Sequence, residues 1–270
     1  MTYGGALSFM RRVYSKDLEH WQPDLVISGI PFDNATTFRP GARLGPRGIR
    51  AASVQLAELK PYGWQGIDPF DDFGVLDFGD AYIVPHIPDS VIPTIVQHAL
   101  KILSASSHPK MLSFGGDHFV TYPLLKATAE FYGRPLRLIH FDAHCDTWSP
   151  DYWSDPEACS GDSPPPQDVR IDHGTMFYQA VEEKIVDPKQ SVQIGLRTWN
   201  DDNLGFNILD APYVHANSIE KVIDSIAQIV EKGEKNIPTY LTFDIDCLDP
   251  AYAPGTGTPV CGGLSTAQVL

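Results

Sequence analysis

The sequence predicts an α/β fold, a three-layer α/β/α arrangement around a central, mostly parallel sheet. Two observations carry that prediction. Short apolar runs rich in β-branched residues alternate with longer stretches of helical period, the pattern of parallel strands joined by crossover helices. Clusters of carboxylates and imidazoles follow several of these runs, at strand carboxyl ends, where open α/β sheets bind their ligands. A chain of 270 residues, 43% of them hydrophobic, is long enough for one large domain, and residues 1–270 are read as one.

Taken in order, strands are expected at 25–30, 74–78, 111–114, 136–141, 192–196 and 240–243, and helices at 46–59, 90–104, 122–132, 174–183 and 218–232. The last helix has the clearest start. Ser218 stands at its N-cap, and Val222, Ile223, Ile226, Ile229 and Val230 form a stripe that should pack on the sheet. No internal repeat is evident. Residues 149–172 break the alternation with Asp, Ser, Gly and the run Pro164-Pro165-Pro166, a long loop insertion. It leaves directly from a carboxylate cluster, so it either overhangs a binding site or is a variable surface loop.

The formal charge is −14, from 34 acidic and 20 basic residues. That balance opposes nucleic acid and anionic membrane as partners and favours cationic small molecules. No segment approaches the roughly 18 apolar residues of a membrane span, and the N-terminus lacks the layout of a signal peptide, so a cytoplasmic protein is expected. Cys145, Cys159, Cys247 and Cys261 show no CxxC spacing and read as reduced thiols. Cys145 and Cys247 alternate with acids and should point away from them.

Four stretches carry the chemistry: Gly115-Gly116-Asp117-His118, Asp142-Ala143-His144-Cys145-Asp146, His173-Gly174-Thr175, and Asp244-Ile245-Asp246-Cys247-Leu248-Asp249-Pro250. Acid and imidazole two residues apart at a strand end leave toward the same side. Together they read as a two-metal hydrolytic site, and hard donors without thiolate suit manganese better than structural zinc. Two ions about 3.5 Å apart hold a bridging water and lower its pKa toward roughly 7, so hydrolysis needs no protein nucleophile. GxSxG, P-loop and GxGxxG motifs are absent from the sequence, which removes the usual support for acyl-enzyme, ATP or NAD chemistry.

Other candidates read as structure. Pro254–Gly257 lacks the lysine and helix of a phosphate loop and should shape a cavity wall. Arg39, Arg47 and Arg50 flank a Gly/Pro loop before a helix rather than an anion site. Asp117 and Asp249 brace turns or ligands, His140 lies mid-strand as a satisfied core histidine, and His20, His86, His98, His108 and His215 carry no motif.

The quoted motifs, with Ser113-Phe114 before the first, His140-Phe141 before the second, and Ala253-Pro254-Gly255-Thr256-Gly257-Thr258-Pro259 after the last, resemble the three signatures of the ureohydrolases, the arginase and agmatinase family. Asp172–Phe177, Ser191–Arg197, Gly29–Asp33 and Gly45–Arg50 resemble the agmatinase branch in particular. That resemblance implies two Mn²⁺ ions per chain: one on His118 and Asp146, one on His144 and Asp246, with Asp142 and Asp244 bridging both. It makes His173 the active-site histidine that protonates the leaving amine. The implied reaction is hydrolysis of agmatine to urea and putrescine, a step of polyamine biosynthesis, by a homo-oligomer.

Two departures qualify the implied reaction. Family members continue past the equivalent of Leu270 with a strand and a substrate-gripping carboxylate, so a C-terminal truncation is expected. The 149–172 loop is longer than the agmatinase branch leads one to expect, which leaves guanidinobutyrate, guanidinopropionate and formiminoglutamate as alternative substrates, and a metal-binding inactive fragment or subunit as a rival of another class.

Overall fold

The computed structural model describes residues 4–57, 59, 68–150 and 171–270. Most of the loop expected at 149–172, and Cys159 with it, lies outside these residues. The chain divides into two compact units, one of Met1–Asn34 with Pro40–Phe131 and one of Ala35–Arg39 with Tyr132–Leu270.

The first unit holds strands β1 (Val13–Tyr14), β2 (Leu25–Gly29), β3 (Val75–Asp80) and β4 (Lys110–Phe114) in the order β1-β3-β2-β4. Its helices are α1 (Leu18–Trp21), α2 (Gly45–Ser53), α3 (Pro69–Asp72), α4 (Pro88–Leu103) and α5 (Thr121–Tyr132). β2 and β3 are buried along most of their length, which is why they read as continuous apolar runs rather than alternating ones. α4 opens with Pro88, whose missing N–H costs nothing at a helix start. It buries Val91, Ile95, Val96, Ala99, Ile102 and Leu103 along one stripe.

Within the arginine-rich segment Arg50 is structural, as expected. Arg50 on α2 reaches the fully buried Asp77 of β3 through Nε (2.8 Å) and Nη2 (3.0 Å), and Asp80 through Nη1 (2.6 Å). A buried carboxylate needs such a two-pronged partner. Arg43 likewise pairs with the buried Asp33.

The second unit holds β5 (Arg137–Phe141), β6 (Val192–Ile194), β7 (Asn207–Leu209) and β8 (Thr239–Phe243) in the order β7-β6-β5-β8, with α6 (Met176–Glu182), α7 (Ala211–Ala216), α8 (Ile219–Lys232) and α9 (Thr266–Val269). Val192, Ile194, Leu209, Val214, Val222, Cys247, Leu248 and Leu264 form its core, against which Ile226 and Ile229 of α8 pack. Ser218 caps α8 by accepting the Lys221 N–H, as its sequence predicts, but Ile223 points into solvent.

Every strand pairing among the described residues is parallel, the α/β class expected. The differences are local. The helix expected at 46–59 ends at Ser53 and continues as a 3-10 turn, Val54–Leu56. The strand expected at 192–196 stops at Ile194, because Gly195 takes a φ of +91°, a left-handed conformation open to glycine and incompatible with a strand. β1 and β7, two and three residues long, went unpredicted. No helix among the described residues is long and apolar enough to cross a membrane.

Candidate metal centre

The site grows out of the register of β5 and β8. These are neighbours in the sheet, and Phe141 is paired with Phe243. Asp142 and Asp244 are the next residues of each strand, so two carboxylates leave the sheet side by side at its carboxyl edge. Backbone bonds hold them there: Asp142 N–H donates to Ile194 O (3.1 Å) and Asp244 N–H to Phe141 O (2.9 Å).

Each aspartate then shapes its own loop. Asp142 Oδ1 accepts the His144 N–H (2.7 Å), and Asp244 Oδ1 accepts the Asp246 N–H (2.9 Å), opening the 3-10 turn Ile245–Cys247. The two loops are stitched together, since Asp246 Oδ1 accepts the Ala143 N–H (3.0 Å). His144 Nδ1 ends 3.3 Å from Asp142 Oδ1 and 3.1 Å from Asp246 Oδ2. One donor atom from each of Asp142, His144 and Asp246 falls within 4.8 Å of the others, and so do donors from His140, Asp142 and Asp146. Asp142 is common to both groups. Asp146 enters through a left-handed backbone, φ +53°, a conformation that aspartate tolerates better than most residues.

Asp142, His144, Asp146, Asp244 and Asp246 open onto a cavity of about 280 Å³, whose other walls include Trp148, His173 and Trp199. His173 precedes α6. Asp172 Oδ1 accepts the N–H groups of Gly174 (2.8 Å) and Thr175 (3.0 Å), fixing the turn that carries the imidazole. The Thr37 N–H lies 3.1 Å from His173 Nε2 and its Oγ1 2.7 Å away. An N–H only donates, so Nε2 is the bare nitrogen and the ring is neutral in this arrangement.

Five of the six ligands read from the sequence, together with His173, therefore share one cavity. The sixth, His118, belongs to the first unit, where it opens the buried 3-10 helix His118–Val120. Gly116 makes its turn possible, because a Cβ there would strike the carbonyl oxygens of Phe32 and Ile30. Asp249 braces a turn as expected, accepting from Ala251, Gly262 and Gly263. Cys145 and Cys247 are buried free thiols.

Arg197, quoted from the sequence only within a resembling run, acts at this site too. Its guanidinium donates to the carbonyls of Asp246 (2.6 Å), Cys247 (3.2 Å), Leu248 (3.3 Å), Gly195 (3.0 Å) and Val260 (2.8 Å), holding the Asp246 loop from behind. Thr37, Trp148 and Trp199 carry no motif that marks them as cavity residues, whereas Thr258 lies in the run quoted after the last signature.

The electrostatics are those of crowded, buried carboxylates. Burial pushes the Asp246 carboxyl up to about 8, with Asp142 and Asp244 adding to the effect. Burial alone would lower the His144 imidazole, but hydrogen bonds and charge attraction from Asp142 and Asp246 overcome it and raise it to about 11. Carboxylates crowded in this way favour a cation among them. The four carboxylates lining the cavity carry as much negative charge as two divalent ions carry positive. The oxygen and imidazole donor set fits hard divalent cations.

The chain belongs to the arginase family, whose model, described as "Arginase family", matches residues 23–270. It is 57% identical over 269 residues to the agmatinase of Chromobacterium violaceum, covering 100% of this chain and 76% of that one. Within the family it groups with the agmatinase-type ureohydrolases. A crystal structure of a hypothetical agmatinase from Burkholderia thailandensis is similar at a TM-score of 0.87 and 56% identity, covering 100% of this chain and 78% of that one. The proclavaminate amidino hydrolase of Streptomyces clavuligerus is similar at 0.82 and 33%, covering 100% and 83%.

Proposed function

We propose that the chain is a dinuclear manganese enzyme that hydrolyses agmatine to urea and putrescine. The observation carrying this is the Phe141/Phe243 register, which sets the Asp142 and Asp244 carboxylates side by side above a cavity lined with further hard donors. In this reading His118 and Asp146 would hold one ion, His144 and Asp246 the other, and Asp142 and Asp244 would be shared. Manganese bound at such a donor set would supply hydroxide at neutral pH, by lowering the pKa of water toward roughly 7.

The chain's own groups do the rest. The acidic loops orient the guanidinium carbon over the donor set, and Trp148 and Trp199 line the same cavity, where aromatic rings favour a cation. His173, on the wall of the same cavity, passes a proton to the departing amine. Guanidinium plus water becomes urea plus an ammonium, so both protons of the water end on the amine and charge is conserved.

Among the described residues, no lysine or arginine lines the cavity, and the chain carries a net −14. Both features favour a doubly cationic substrate over a guanidino acid. Cytoplasmic location and homo-oligomeric assembly, tested by fractionation and light scattering, belong to the same reading. The substrate experiment is urea release from agmatine and from 4-guanidinobutyrate by the manganese-loaded chain. Faster release from agmatine supports the assignment; release from guanidinobutyrate alone overturns it.

A further inference from the structure

We propose that His140 is a positioning residue for Asp142, holding that carboxylate through a ring proton whose place the fold dictates. The inference rests on the reading of Asp142 as a metal ligand. His140 lies on β5 two residues before Asp142, so both side chains leave the strand on the same side. It is completely buried, with Nε2 2.8 Å from Asp142 Oδ2. Distance alone groups it with Asp142 and Asp146 as a candidate donor, and which ring nitrogen carries the proton decides whether it can be one.

Gln193 answers it. This residue of β6 is paired with His140 across the sheet and is equally buried. Its amide nitrogen lies 2.7 Å from the Cys145 carbonyl and 3.0 Å from His140 Nδ1. A peptide carbonyl only accepts, so the end of the amide facing Cys145 must be the NH₂. The second hydrogen of that NH₂ then meets Nδ1, which must be the bare nitrogen. The ring proton is left on Nε2, aimed at Asp142 Oδ2. Gln193 Oε1 is buried without a hydrogen-bond partner, the cost of committing the other end of the amide to two acceptors. Phe177 packs edge-on against the imidazole, ring centres 4.8 Å apart, and limits its rotation.

Both nitrogens of His140 are therefore occupied, one accepting and one donating, and neither offers a lone pair to an ion. Asp142 has Oδ2 fixed by His140 and Oδ1 by the His144 N–H, which sets the carboxylate plane before any ion arrives. Partners of this kind typically change metal affinity by about 10–100-fold when removed.

The test is manganese titration of the purified full chain, reading ions bound per chain at saturation and free Mn²⁺ at half-saturation, for wild type, His140→Leu, His140→Gln and Gln193→Leu. The expected result is wild-type stoichiometry in all variants, half-saturation raised about 10–100-fold in His140→Leu, a rise in the same direction in Gln193→Leu, and recovery in His140→Gln, whose amide N–H can replace Nε2–H. A lost ion per chain in His140→Leu or His140→Gln makes His140 a ligand and overturns the proposal. Unchanged half-saturation in His140→Leu and Gln193→Leu leaves only packing and overturns it too. Should His140→Leu not fold, His140→Gln and Gln193→Leu decide by the same criteria. A wild-type chain that binds no manganese is a different result, which overturns the function itself and this inference with it.

Discussion

Phe141 and Phe243 are partners in the parallel β5/β8 pair, their rings 5.6 Å apart, and this one pairing brings Asp142 and Asp244 to the same level of the sheet. A slip by one residue would turn one of the two carboxylates to the opposite face. The site is thus a property of sheet register before it is a property of loops.

Substituting either carboxylate tests that directly. Asp142→Asn and Asp244→Asn each keep the shape and remove a charge. Each is expected to lose bound manganese and to lower turnover by at least about 100-fold. Metal analysis alongside steady-state rates checks this, and near-normal activity in either variant contradicts it.

His173 stands apart from the donors, so its removal should separate chemistry from metal binding. His173→Asn is expected to lower kcat by about 10²–10³-fold while leaving manganese content at the wild-type value. Loss of metal in this variant would contradict the role.

Arg197 holds the Asp246 loop through five carbonyls. Arg197→Ala leaves several of them without a donor and is expected to cost about 2–3 kcal/mol of stability, with weaker manganese binding. Urea unfolding curves and metal titration read the two effects.

His98 on α4 predicts a pH dependence in the first unit. Burial, reinforced by Lys16 and Lys101, lowers its imidazole to about 4 from an ordinary 6.5, and Nε2 sits 2.6 Å from Ser28 Oγ. A group whose pKa falls on folding contributes stability above its unfolded pKa and loses that contribution as pH falls toward the folded one. Stability should therefore drop between pH 6.5 and 4, by at most about 3 kcal/mol from this residue. His98→Gln should show a correspondingly smaller drop in unfolding free energy over that window; an equal drop contradicts the assignment.

Much of this was legible in the sequence, for physical reasons. β2, β5 and β8 are apolar runs, and an aspartate directly after such a run marks a strand end. The Ser218 cap and the spacing of Val222, Ile226 and Ile229 mark α8 equally well. What escaped depends on distance along the chain. Thr37 meets His173 across 136 positions, Arg197 meets Cys247 across 50, and Gln193 meets His140 across 53. No local pattern encodes such pairs. His140 is a satisfied core histidine, as its mid-strand place predicts, but the partners that satisfy it emerge only from the register of β5 with β6. β1 and β7 were missed because two or three residues are too few to display a period.

The measurement that bears most directly on the central claim is anomalous diffraction at the manganese edge from crystals of the metal-loaded chain. Two peaks about 3.5 Å apart, each within coordination distance of both the Asp142 and Asp244 carboxylates, are the predicted result. A single peak, or peaks that neither aspartate bridges, would contradict it.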